Sequence, residues 1–175
     1  RYPHISVNPD SFSPSLWLNG NALWTNDYFR QIISDRTYTN DGIIIATHNY
    51  EPVSISAVDS FMKKTSEIST KISIPIIHQI WDLIFMQAEI IPTDAEYFID
   101  YQFGTIHPSV VLENGDNIYT GVNSQIRPGV VLDASSGPII IAENVYVDIG
   151  ALIQGPAYIG PDCTINPGAK LRKNI

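Results

Sequence analysis

The chain has 175 residues, is 44% hydrophobic and 16% charged, and has a mean hydropathy of +0.01; so much apolar surface excludes intrinsic disorder and is enough for one large domain or two small ones. Ten Lys and Arg against eighteen Asp and Glu give a net charge of −8 with no basic run, which argues against binding nucleic acid through its phosphates. The lone Cys163 excludes an intramolecular disulfide and fits a reducing, cytoplasmic compartment, and no apolar run reaches the roughly 18 residues of a membrane span.

The chain starts at Arg1 rather than Met, with no signal-peptide pattern, and stops within a repeat; it is expected to be a piece of a longer protein. The periodicity changes near residue 104. Before it the patterns are those of an α/β domain, and after it a six-residue repeat takes over. The expected organisation is an α/β part over 1–76, a helical linker over 77–103 and a parallel β-helix over 104–175.

The first part opens irregularly, with Pro3, Pro9 and Pro14. Ser15 to Asn19 reads as a short buried strand ending at Gly20. Thr25-Asn26-Asp27 suits the start of a helix whose core face would be Tyr28, Phe29, Ile32 and Ile33. Gly42 to Thr47 predicts a strand, and Val53 to Ala57 a second one joined to it as a hairpin through His48 to Pro52. A helix is expected from Ala57 to Ile68. The strongest helical pattern spans Ile77 to Ile91, where Ile77, Ile80, Trp81, Ile84, Phe85 and Ala88 form an apolar stripe expected to pack in the core. Pro92 should end that helix, and Thr93-Asp94-Ala95-Glu96 has the capping-box pattern for a shorter one.

The repeat is the clearest feature. Ile141, Val147, Ile153, Ile159, Ile165 and Leu171 follow one another at six-residue steps. Four residues after the first five come Val145, Ala151, Ala157, Cys163 and Ala169, all small or β-branched. Three such hexapeptides make one triangular coil. The large aliphatic points inward from each flat side, and the small residue fits the tight corner. Stacking then pairs Ile141 with Ile159, Val147 with Ile165, and Ile153 with Leu171. Cys163 is expected to be an inward packing residue, not a nucleophile. Upstream the template fits Ile106/Val110, Leu112, Ile118/Val122, Ile126/Val130 and Leu132/Ser136, with extra residues between Ile118 and Ile126 and at Ala134 to Pro138.

The order of an α/β end, a helix and hexapeptides resembles the sugar-1-phosphate nucleotidyltransferases with a C-terminal β-helix. It is most similar to the bacterial UDP-N-acetylglucosamine diphosphorylase/glucosamine-1-phosphate N-acetyltransferase family, in a divergent form described as a glucose-1-phosphate thymidylyltransferase. Trp17 to Leu23, Ile80 to Ile84, Val131 to Ile141, Val147 to Ala151 and Ile153 to Pro156 carry the resemblance. It implies a left-handed coil, a homotrimer, sugar 1-phosphate and NTP as substrates, Mg²⁺ for nucleotidyl transfer and acetyl-CoA for N-acetylation.

The chain departs from that family in places. The Gly-rich phosphate loop is absent. The family's Mg²⁺-binding Gly-Asp pair is here Gly20-Asn21, so Asn21 is a candidate metal ligand without the charge of a carboxylate, or simply a turn residue. Such acetyltransferases resemble one another in using a His as general base. His4, His48, His78 and His107 all lie outside the regular repeats, and His107 reads as a surface or corner residue. Asn166 stands where the family often has an Arg for the sugar phosphate. Lys170, Arg172 and Lys173 form a basic cluster that suits a sugar phosphate or the phosphates of coenzyme A, or a solvated face.

Three functions follow as expectations. The first is part of a sugar-1-phosphate nucleotidyltransferase, itself inactive because catalytic segments lie outside it. The second is a non-catalytic oligomerisation module, and the third a stand-alone hexapeptide acyltransferase. A zinc site of the β-helix carbonic-anhydrase kind is rejected, because no His occurs from Ile126 onward.

Overall fold

A computed structural model describes residues 10–32, 36–66 and 69–175. Pro3, His4, Pro9, Ile33 and the last two residues of the helix expected to reach Ile68 lie outside the described residues. The chain divides into two compact units, Arg1–His78 and Gln79–Ile175.

The first unit is built on a four-stranded mixed sheet. Its strands are β2 (Ser15–Leu18), β3 (Thr37–Asn40), β4 (Ile43–Asn49) and β6 (Ser69–Lys71), in the order β2-β4-β3-β6. A separate pair joins β1 (Ser11–Phe12) to β5 (Val53–Ser54), and the helices are α1 (Asn26–Gln31) and α2 (Val58–Ser66). Asn40 pairs with Ile43 across Asp41 and Gly42, whose φ values of 49° and 82° make a two-residue hairpin turn of the type that Asp-Gly favours. Ala22, Tyr38, Ile45, Ala46, Ile72 and Ile74 form the core, joined by Leu16, Trp24, Tyr28 and Ile32. The buried Thr37 and Thr47 hydroxyls bond each other at 2.7 Å across β3 and β4, so neither is left unpaired in the core.

Several expectations for this unit are corrected. The segment after His48 does not fold back on β4; β4 is flanked by β2 and β3, and β5 pairs with β1. Asn49 explains the divergence. Its buried amide accepts from the Ser15 N–H at 2.9 Å and donates to the Ser13 and Glu51 carbonyls at 3.0 and 3.1 Å, so it fixes the loop toward β2. Ile55–Ala57 is a 3₁₀ turn leading into α2 rather than strand. Thr25 occupies the N-cap of α1 but makes no side-chain cap bond, and Phe29 is 43% exposed, packed on the edge of Trp24 instead of in the core.

The second unit starts with α3 (Asp82–Asp94), a 3₁₀ turn over Ala95–Phe98, and then eleven short strands. The first coil holds β7 (Thr105–Ile106), β8 (Val111–Glu113) and β9 (Ile118–Thr120). The second holds β10 (Gln125–Ile126), β11 (Val131–Asp133) and β12 (Ile139–Ile141). The third holds β13 (Tyr146–Val147), β14 (Leu152–Gln154) and β15 (Ala157–Ile159), and β16 (Thr164–Ile165) and β17 (Lys170–Leu171) open a fourth. Each strand pairs in parallel with its equivalent one coil away, giving three flat faces: β7-β10-β13-β16, β8-β11-β14-β17 and β9-β12-β15. The result is a β-solenoid of about three turns over residues 105–171, the architecture expected of the hexapeptides.

The three predicted stacks are present: Ile141 opposite Ile159, Val147 opposite Ile165, and Ile153 opposite Leu171. With Ile126, Leu132, Ile139 and the small residues Val130, Ala134, Val145, Ala151 and Ala157, they fill one continuous core. Two corners repeat in every coil because each needs a left-handed residue. One uses Asn123, Asn144 and Asp162 at φ 61°, 57° and 60°, and the other Gly129, Gly150 and Gly168 at φ 72°, 68° and 67°. Asn144 bridges its corner column, accepting from Asn123 at 3.2 Å and donating to Asp162 at 3.0 Å.

The register upstream differs from the expected one. Ile118 pairs with Ile139, and Thr120 is the residue opposite Ile141. Thr120 and Ser124 are therefore the inward pair, both buried, while Val122 is 47% exposed. The core accepts these hydroxyls because they are bonded: Ser124 donates to the Ala142 carbonyl at 2.5 Å and accepts from the Val145 N–H at 3.2 Å. The extra residues accordingly lie before Thr120, in the Gly115–Asn117 turn. The insertion around Ala134 to Pro138 is where expected, but Ala134 rather than Ser136 turns inward. Cys163 sits at the position of Val145 yet is exposed, because it belongs to the outermost coil and no further coil covers it among the described residues.

Helix α3 also departs from expectation. It begins at Asp82, and it runs through Pro92, which replaces only one N–H near its end; the next turn tightens to 3₁₀. The capping box does not form: Asp94 makes no cap bond, and the Thr93 hydroxyl turns back to the Glu89 carbonyl at 2.9 Å. The stripe is not core. Ile80 is 78%, Trp81 54% and Phe85 74% exposed, and Ile84 and Ala88 are exposed too. Burial falls on the last turn, where Ile91 and Ala95, four residues apart, pack on Ile140 of β12.

Candidate functional site

A solenoid coil buries one side chain of each strand and turns its neighbours outward, so chemistry collects in columns on the faces. On the first face the residues following the strands are His107, Arg127, Asp148 and Asn166, one per coil. Their N–H groups bond successive coils: His107 to the Ile126 carbonyl at 3.0 Å, Arg127 to Val147 at 3.0 Å, Asp148 to Ile165 at 2.9 Å. The Arg127 guanidinium lies 5.9 Å from the Tyr146 ring centroid, within cation–π reach. His107 Nδ1 lies 2.9 Å from the Ser109 hydroxyl and accepts from the Ser109 N–H at 3.2 Å, so the neutral ring carries its proton on Nε2. His107 is an exposed corner residue, as its place in the repeat suggested.

The second face presents Val111, Val131, Leu152 and Lys170, then Glu113, Asp133, Gln154 and Arg172. Asp133 accepts from the Ser135 N–H at 3.1 Å and from Gln154 Nε2 at 3.3 Å. The Ser135 hydrogen bonds, with Gln154 after them, hold its carboxyl below the ordinary range. Lys170 and Arg172 share this face on the outermost coil with Lys173 next to them, all exposed. Asn166 is exposed on the far side of the Pro167-Gly168 corner, in the first-face column, so the structure does not join it to the cationic face.

The third face is covered by α3 and its 3₁₀ extension. There the Tyr101 hydroxyl donates to the Glu143 carboxylate at 2.5 Å. That bond raises the phenol's pKa, with burial adding to it, and lowers that of the carboxyl. It ties the chain leaving the 3₁₀ turn to a solenoid corner.

Asn21 lies in the exposed turn after β2. Its N–H bonds the Asn19 side chain at 2.9 Å, and its carbonyl accepts from Ile77 N–H at 2.7 Å. Among the described residues no group of three or more His, Cys, Asp and Glu could hold a metal ion, so the donor set around Asn21 does not fit Mg²⁺. Lys170, Arg172 and Lys173 have the charge to meet the phosphates of coenzyme A. Nor does the fold gather the histidines: His48 is stacked on Tyr50 at 5.7 Å on β4, His78 is exposed in the first unit, and His4 is outside the described residues. The sequence repeat revealed none of the outward columns, because a hexapeptide pattern records the buried positions and leaves the outer ones free to vary.

Residues 138–173 match the family model described as bacterial transferase hexapeptide (six repeats), which are the second half of the second coil and all that follows up to Lys173. This segment is a hexapeptide-repeat β-helix. Neither the curated proteins nor the solved structures contain a match to the chain. No helix among the described residues is long and apolar enough to cross a membrane.

Proposed function

We propose that this chain spans the junction between a sugar-1-phosphate nucleotidyltransferase domain and a left-handed hexapeptide β-helix, in a protein that makes a nucleotide sugar and acetylates an amino-sugar phosphate. The observation that supports it is the run of hexapeptide coils, similar to bacterial transferase repeats, following a mixed α/β unit and a helix. In this reading the solenoid is the scaffold, its flat faces assemble three copies around an axis, and Lys170, Arg172 and Lys173 meet phosphate groups. Asn21 remains as a turn residue. Nucleotidyl transfer then draws on residues other than those described, since the metal site it needs is not among them.

The test uses the full-length polypeptide containing these residues, with each NTP, a panel of sugar 1-phosphates and Mg²⁺. Pyrophosphate release together with a nucleotide sugar is the expected result; no product from any pair overturns the proposal. The 175-residue chain, given acetyl-CoA and glucosamine 1-phosphate, should release no thiol. Turnover would favour the acyltransferase reading, for which His107 on the outer column is the available base.

A non-catalytic assembly role is favoured by a separate observation, the outward apolar row Val111, Val131 and Leu152 on the second face. Light scattering at several concentrations tests assembly. A trimer is expected, and a monomer throughout argues against both trimer and scaffold.

A further inference from the structure

Between α3 and the third face of the solenoid runs a groove of about 450 Å³, lined by Gln87, Ile91, Asp94, Phe98, Ile140 and Tyr158 among others. Its volume falls in the range that small-molecule sites occupy. The lining is predominantly apolar, with Gln87, the Tyr158 hydroxyl and Asp94 as its polar groups, and it contains no basic side chain. The Phe98 and Tyr158 rings stand 6.0 Å apart at 52° and offer two aromatic surfaces.

Asp94 is the unusual member. Its carboxylate makes no hydrogen bond or ion pair among the described residues. It stands at the C-terminal end of α3, where the helix dipole is negative and a cation is the stabilising partner. Pro92 adds to this, because it has no N–H to give the Ala88 carbonyl one turn earlier. Desolvation by its surroundings raises the Asp94 pKa, as expected of a carboxylate held against apolar walls without a partner. A negative end and an apolar, aromatic floor complement one class of molecule.

We propose that this groove binds a small amine, with an apolar or aromatic body lying on Ile140, Phe98 and Tyr158 and a protonated amino group on the Asp94 carboxylate. The ammonium supplies the missing countercharge and meets the negative end of α3 and the ring faces nearby. The body covers apolar surface that water now touches.

The test is amide-detected NMR titration of the whole 175-residue chain with phenethylamine, and in parallel with 2-phenylethanol, its neutral counterpart. Phenethylamine should shift signals of residues 87–98, Ile140 and Tyr158, and bind about tenfold or more tightly than the alcohol, the effect of one charge-assisted hydrogen bond. Asp94→Asn should remove that preference while leaving the alcohol's affinity unchanged. Ile140→Ala should weaken both probes alike. Equal binding of the two probes, an unchanged preference in Asp94→Asn, shifts confined to other surfaces, or no shift at millimolar amine would each overturn the proposal. None of these outcomes depends on the transferase reading.

Discussion

Ile141 and Ile159 stand directly opposite each other in adjacent coils, eighteen residues apart in sequence and both buried. Neither is buried by its own coil alone. Each hexapeptide side chain is covered by its equivalents above and below, so burial depends on the place in the stack. Val147 is buried, whereas its partner Ile165 on the outermost coil is only partly so.

Ile141→Ala should therefore destabilise the solenoid by about 2–5 kcal/mol, the usual cost of truncating a fully buried aliphatic. Ile165→Ala should cost less than half as much. Urea unfolding of the two variants checks the gradient; equal losses would show that the stack does not set burial.

Ser124 makes a different demand. Ser124→Ala leaves the Ala142 carbonyl and the Val145 N–H without their partner inside the core, with an expected cost of about 1–3 kcal/mol despite the smaller, more apolar side chain. Thermal unfolding of this variant beside Ala151→Ser reads the principle from both directions. The serine at 151 enters a buried position occupied by a methyl group and should also destabilise.

Asn144 combines a left-handed backbone with two side-chain bonds to neighbouring coils. Asn144→Gly keeps the backbone but loses the bonds, and Asn144→Ala loses both. The expected order of stability is Asn, then Gly, then Ala, with about 1–2 kcal/mol of backbone strain in the last. Calorimetry of the three proteins reads the order, and an alanine variant as stable as the glycine one would contradict it.

Gly155 and Gly160 should respond differently to alanine. A Cβ at Gly155 would collide with the Gly137 carbonyl one coil away, while at Gly160 the nearest atom is Tyr158 Cε1 at 3.8 Å. Gly155→Ala is expected to lose the cooperative transition or lower its midpoint sharply, and Gly160→Ala to change it little. Circular dichroism during heating distinguishes them.

The Tyr101–Glu143 bond predicts a pH dependence. The Glu143 carboxyl is lowered by the Tyr101 hydroxyl, so its stabilising contribution is complete above the ordinary Glu range and is lost as pH falls through the lowered folded value. Asp133 acts in the same direction. Asp94, raised by desolvation, acts oppositely: its unfavourable contribution is present at neutral pH and fades on acidification. Glu143→Gln should thus lower stability at pH 7 and flatten the acid limb, and Asp94→Asn should raise stability at pH 7. Denaturant titrations between pH 3 and about 8 test both signs.

The sequence by itself determined the solenoid from Ile126 onward. Six-residue steps fix which side chain turns inward, and parallel stacking needs only that equivalents recur, so the Ile141, Val147 and Ile153 pairings were legible before any coordinates. It did not determine the register before Thr120, where two buried hydroxyls stand in for aliphatic residues and satisfy themselves through neighbouring coils. Nor did it reveal β3 and β6, whose Thr- and Ser-rich stretches lack an apolar alternation, although Asp41-Gly42 marks the hairpin beside them. The stripe on α3 was visible but its meaning was not. Periodicity shows that a helix has an apolar face, while which part of that face is buried depends on where the helix meets its neighbour, and here only Ile91 and Ala95 reach Ile140. The same limit applies to the columns headed by His107 and Val111 and to the groove at Asp94. They exist because residues distant in sequence are brought to one surface, and only tertiary structure decides that.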